Sequence, residues 1–177
     1  MNTNEEATQG DHQAPADGYA IVVGIDNSPA SAAALRWAAQ HSRATGLPLR
    51  LVHAWQLSAT GSEALAAGAA YIEAAAADAR ARATRWVLDT LGGDAALVRW
   101  TLQVYQGGAG PVIVALSRGT PLVVVGTHEH TGLRRAFSGS VSHYVLSHAD
   151  VPVVAVPAPV HTPGGTDQGA MVIGPLY

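Results

Sequence analysis

The run Pro121-Leu122-Val123-Val124-Val125-Gly126 constrains the fold more than any other stretch of this chain. It carries apolar, mostly β-branched residues with no polar alternation. A strand built from it must therefore be covered on both faces, which is the situation of a buried parallel strand. A second run, Tyr19-Ala20-Ile21-Val22-Val23-Gly24-Ile25, has the same character. Parallel strands need crossover connections, and the segments between the strand-like runs read as helices.

After the first strand, Asp26-Asn27-Ser28-Pro29 offers capping side chains followed by a proline suited to a first helical turn. The Ala-rich residues 30–45 then predict a helix, and Gly46 is a natural stop. Residues 47–55 predict a second strand. A long helix is expected over residues 62–91, with Ile72, Ala76, Ala79, Ala83, Trp86, Val87 and Leu91 on one stripe and Gly92-Gly93 at its end. Asp78 and Arg82 pair on its flank, whereas Arg80, Arg82 and Arg85 spread around it as solvated charges. Residues 96–105 predict a third strand near an edge, and residues 107–118 a helix that tolerates Pro111 only in its first turn. A loop of about a dozen residues follows the fourth strand, then a helix over 140–149. The last strand spans residues 151–156, where Pro152 and the following Pro157 suit an outer position.

This β-α-β-α-β-α-β-α-β order predicts an open, doubly wound α/β fold: a mostly parallel sheet with right-handed crossovers and helices on both faces. Residues 1–17 and 159–177 lack a hydrophobic period and read as tails around one domain at residues 18–158. Ligands of such sheets sit beyond the carboxyl ends of the strands where the strand order reverses.

Composition removes several function classes. The net charge is −3, without the basic stripe that phosphate neutralisation in nucleic-acid binding requires. There is no cysteine, so disulfides, thiolate metal sites and thiol nucleophiles are excluded. All ten basic residues are arginine, which excludes Schiff-base, phosphate-loop and receiver-type lysines. The polar start and the lack of a run of roughly 18 apolar residues make the cytoplasm the expected compartment, with no membrane partner.

The chemistry-bearing segment is GTHEHTGLRRAFSGSVSHYVLSHADVPVVAVP, from Gly126 to Pro157. Gly139-Ser140-Val141 opens a helix, so free backbone amides and the positive dipole end face the preceding loop. Gly139 permits close backbone approach, and the Ser140 hydroxyl can donate to a phosphate oxygen; taken alone, Ser140 reads more readily as an N-cap, and the phosphate reading gains from Gly126 and Asp26. His128 and His130 flank Glu129 without a third ligand of fitting spacing, so they read as polar loop residues and no metal site is expected. His53 is expected to hydrogen-bond locally, and His143 and His148 to be exposed.

The spacing of Gly126 and Gly139-Ser140, together with VVGIDNSPASAAALRWA and LRLVHAW, resembles the universal stress protein family over residues 19–157. The resemblance implies a five-stranded parallel sheet of order 3-2-1-4-5 and a homodimer through the last strand. It also implies an adenine nucleotide, ATP or AMP with or without Mg²⁺, in stress response. By the same resemblance Gly24, Ile25 and Asp26 sit by adenine and ribose, and Ala54 lines the base. Gly126, Thr127, His128 and Gly132 wrap the ribose and phosphates, and Gly139, Ser140 and Val141 meet the phosphates.

Glu129 departs from the family pattern, standing where its motif has a second glycine. A left-handed backbone there costs a non-glycine residue roughly 1–2 kcal/mol. A carboxylate ~5 Å from a phosphate adds about 3 kcal/mol of repulsion at an effective dielectric of ~20. Arg134, Arg135 or a bridging Mg²⁺ would offset this. Two readings follow: a nucleotide-binding regulatory module, or a member that works through homodimer or partner contacts because Glu129 disables the phosphate loop. No catalytic residue is assigned, since no Walker lysine or acid–base pair is present; an enzyme is not expected, and slow ATP hydrolysis is the most the sequence allows. The third strand ends in Val104-Tyr105 rather than Asp, against a receiver domain, and Gly24-Ile25-Asp26 does not continue into a dinucleotide fingerprint.

Overall fold

The structure is a computed structural model that describes residues 19–56, 68–127 and 141–159. Five strands form one parallel sheet: β1 (Ile21–Ile25), β2 (Leu49–Trp55), β3 (Trp100–Gln106), β4 (Leu122–Thr127) and β5 (Val153–Pro157). Their spatial order is β3-β2-β1-β4-β5, so the order reverses between β1 and β4. The register aligns Ile21 with both Leu49 and Leu122. All five residues of β1 are buried, as its unbroken apolar pattern requires of a central strand.

Helices α1 (Pro29–Thr45), α2 (Gly68–Leu91), α3 (Ala109–Ser117) and α4 (Val141–His148) are the crossovers. One core layer lies between the sheet and α1 with α2, built from Ile21, Val23, Leu35, Leu51 and Val87. The other lies against α3 and α4 and contains Val22, Val52, Ile113, Val123 and Val145. The two layers take alternate residues of the same strands, which is why neither strand face could be polar.

Local chemistry explains the ends. Ser28 caps α1, its Oγ accepting the Ser31 amide at 3.1 Å, and Pro29 occupies the first helical position. Gly46 ends α1 at φ 73°, with its N–H on the Ser42 carbonyl. Pro111 falls in the first turn of α3. His53 Nδ1 lies 3.0 Å from the Ile25 carbonyl, which can only accept, so Nδ1 carries the proton.

Three expectations need correction. The long helix is described from Gly68, and its first residues expected over 62–67 lie outside the described part. Ala79, Ala83, Val87 and Leu91 are buried on the expected stripe, but Ile72 is 40% exposed because that turn has passed the edge of the covering core. The α-helix does end at Leu91 before Gly92-Gly93, and a 3₁₀ turn then runs over Gly92–Ala96, tied by the Arg43–Asp94 ion pair at 2.6 Å and by Trp100 Nε1 donating to the Ala95 carbonyl. The third strand consequently starts at Trp100 rather than residue 96, with Leu97 exposed between. Arg80 is not simply solvated; its Nη1 donates to the Leu102 carbonyl at 2.9 Å. The expected tails at 1–17 and 159–177 lie outside the described residues, except for residue 159 itself.

Candidate functional site

The carboxyl ends of β1 and β4 diverge where the strand order reverses, and a cleft open to solvent lies between them. Its floor is apolar, made by Val52 and Val125 of the sheet and Ala109 and Ile113 of α3. Gly24, Ile25, Asp26 and Ser28 supply one wall, Ser31 and Gly126 another, and Val141 at the start of α4 a third.

Asp26 is held by its neighbours. Its Oδ1 accepts the Ser28 amide at 3.0 Å, closing an Asx turn, and its own N–H donates to Ser31 Oγ at 3.2 Å. Asn27 takes the left-handed conformation at φ 64°, which Asn tolerates better than most residues. The exposed Asp26 carboxylate thus sits at the rim with its position fixed from the backbone side.

Two helices begin on this cleft. At the start of α1 Pro29 has no N–H, Ser31 N–H is held by Ser28 Oγ, and Ala32 N–H by the Ser28 carbonyl at 2.9 Å. Val141, the first described residue of α4, reaches the same cleft, so a helix N-terminus borders it. Gly110 sets where that start lies. A Cβ there would meet the Tyr144 ring at 2.7 Å, so glycine lets α4 settle directly on α3 and brings Val141 to the cleft.

Gly126 has a packing role that its sequence context did not disclose. A Cβ at this position would lie 2.5 Å from the Ala30 carbonyl oxygen and 2.7 Å from the Ser31 nitrogen. Its φ is outside the left-handed region, so close approach of β4 to the first turn of α1 is the reason for glycine, not backbone freedom. Gly24 is similar in kind but milder; a Cβ there is crowded at 2.6 Å by Ile113 Cδ1, a side-chain end, and lies 3.4 Å from Val125 Cγ1.

Of the residues singled out in the sequence, Gly24, Ile25, Asp26, Gly126 and Val141 come together around the cleft. Ala54 pairs with Tyr105 near the end of β2, and the Thr127 carbonyl accepts the Ala158 amide in the β4–β5 ladder; neither lines the described wall. His128, Glu129, Gly132, Gly139 and Ser140 lie outside the described residues. Ser28, Ser31, Val52, Ala109, Ile113 and Val125 line the cleft without having been singled out for it. A signal existed for two of them, since Ala109 and Ile113 are spaced i, i+4 on a helix that must pack near the first strand. Among the described residues no three His, Cys, Asp or Glu side chains cluster as metal ligands, and no helix is long and apolar enough to cross a membrane.

Comparison with known proteins gives the same picture. The sequence profile of the universal stress protein family matches residues 20–157. A universal stress protein of Mycolicibacterium smegmatis is 31% identical over 155 residues, covering 86% of this chain and 50% of that protein. This chain therefore spans about half the length of the curated relatives it matches. Among solved structures, universal stress protein UspA of Lactobacillus plantarum superposes with a TM-score of 0.60 at 22% identity, over 80% of this chain and 99% of that one. A universal stress protein of Archaeoglobus fulgidus, solved in complex with dAMP, gives a TM-score of 0.53 at 20% identity, covering 80% of this chain and 99% of that one.

Proposed function

The chain belongs to the universal stress protein family, and from that premise we propose that it is a regulatory module whose cleft binds an adenine nucleotide. The observation that carries this reading is that Asp26 and Val141, the first described residue of α4, both line one largely apolar cleft at the strand-order reversal. The floor of Val52, Val125, Ala109 and Ile113 suits a planar base. The Asp26 carboxylate is an acceptor for ribose hydroxyls, and the α4 amides are donors for a phosphate.

The described wall holds no Lys or Arg, so it reads the nucleoside more strongly than a long polyphosphate. That favours AMP over ATP unless Arg134, Arg135 or Mg²⁺ supplies positive charge. The A. fulgidus complex with dAMP supports an adenine monophosphate as the first ligand to try.

The second part of the reading is a homodimer formed through β5. The bonds Val123 N–H to Pro152 carbonyl and Ala158 N–H to Thr127 carbonyl fix the ladder phase. Val153 and Ala155 then turn their amides and carbonyls outward, while Pro157 has no amide to offer. The free edge is short and apolar, which suits pairing with one equal edge.

Titration calorimetry with AMP and with ATP, each with and without Mg²⁺, tests the nucleotide reading. Saturable binding that is lost in Asp26→Ala is the expected result. Absence of heat and of any melting shift at millimolar nucleotide would overturn it. Binding gained in Glu129→Gly would then establish the alternative, a member that acts through protein contacts.

A further inference from the structure

The two outer strands of the sheet are not left in the same condition. Leu49 N–H donates to the Arg99 carbonyl and Gly107 N–H to the Trp55 carbonyl, which fixes the phase of the β2–β3 ladder. Arg99, Thr101, Gln103, Tyr105 and Gly107 then face β2 with their backbone groups, and Trp100, Leu102, Val104 and Gln106 face outward. The outward row of β3 is thus longer than that of β5, and none of its residues is proline. By strand length alone β3 would be the better template for another strand.

Arg80 changes that. It sits on the flank of α2 beside the buried Ala79 and Ala83, and its guanidinium reaches around the sheet edge to the Leu102 carbonyl at 2.9 Å. Leu102 is an inner member of the outward row, so an incoming strand would have to displace a bonded, charged group from the middle of its pairing surface. We propose that Arg80 is an edge guard, closing β3 to strand addition by a second copy of this chain and leaving β5 as the edge through which the sheet can extend.

The need for such a guard follows from symmetry. A two-fold pairing of β5 with its copy makes one continuous sheet whose two outer edges are both β3. Were β3 also to pair with its copy, each new subunit would present another free edge, and the assembly would grow without closing. One guanidinium per chain converts an open-ended series into a closed dimer. The proposal uses the β5 reading only to say where association goes; the closure of β3 stands on its own geometry.

Sedimentation of the full chain across a dilution series tests it. Arg80→Ala is expected to show a weight-average mass roughly twice that of the wild type or more, rising with concentration. Arg80→Met, which keeps the aliphatic stem and loses the donors, is expected to do the same and carries the test if the alanine variant does not fold. Adding Val104→Pro, which removes an outward amide not used in the β2 ladder, is expected to restore the wild-type mass. Wild-type mass in both single variants at every concentration would overturn the proposal, as would growth that Val104→Pro leaves unchanged. A monomeric wild type with dimeric Arg80→Ala would uphold the guard and refute the β5 dimer. Ala155→Pro, placed on the β5 edge, tests that dimer separately.

Discussion

Gly126→Ala separates a packing role from a ligand role at the position where the family motif begins. The added methyl would stand 2.5 Å from the Ala30 carbonyl oxygen and 2.7 Å from the Ser31 nitrogen, with Ala30 carbonyl carbon nearer still. Ordinary contact needs about 3.4 Å or more, so the first turn of α1 must retreat by roughly 1 Å. These neighbours are backbone atoms and have no rotamer to change. Overpacking of this kind costs about 1–3 kcal/mol. Retreat of Ser31 also stretches its bond from the Asp26 amide, already 3.2 Å, at a further cost of about 1 kcal/mol. The expected loss is about 3 kcal/mol, seen in urea unfolding without nucleotide, or a melting temperature lower by about 6–12 °C. Gly24→Ala is the control, because its methyl meets the mobile end of Ile113, which can change rotamer for about 1 kcal/mol. A Gly126→Ala variant within about 0.5 kcal/mol of wild type, or one less damaged than Gly24→Ala, would refute the reasoning.

Other outcomes follow from single contacts. Ser28→Ala removes the cap of α1 and is expected to cost about 1 kcal/mol in chemical unfolding, with Ser28→Thr restoring most of it. Asp78→Asn breaks an exposed pair with Arg82 on one helix face and is expected to change stability by less than about 0.5 kcal/mol, an effect that vanishes in high salt. Leu51→Ala, in the middle of β2 and fully buried, is expected to cost about 3–5 kcal/mol by the same assay.

Much of the site was legible because its parts are local. Asp26, Ser28 and Pro29 belong to one turn whose hydrogen bonds join residues two to five apart, and such turns are written in adjacent residue types. The apolar floor was harder to see. Val52, Val125, Ala109 and Ile113 come from three separate elements, and each reads in the sequence as ordinary core. What makes them a floor is that the sheet parts above them where β1 and β4 diverge, which depends on strand order. Ala54 and Thr127 stand at the right ends of their strands, yet their backbone and position serve the sheet rather than the described wall.

The sequence by itself determined that β1 and β4 are covered on both faces, that Ser28 and Pro29 start a helix, and that prolines push β5 to the outside. Each of these is a property of one element, set by side-chain periodicity or by the backbone chemistry of neighbouring residues. Only the tertiary structure decided that Gly126 seats the first turn of α1, that the stripe of α2 is uncovered at Ile72, and that Arg80 meets the outward carbonyl of Leu102. The reason is geometric. Periodicity records which face of an element turns inward, but not how near the neighbouring backbone comes, where the cover ends, or which edge is left for a long side chain to reach.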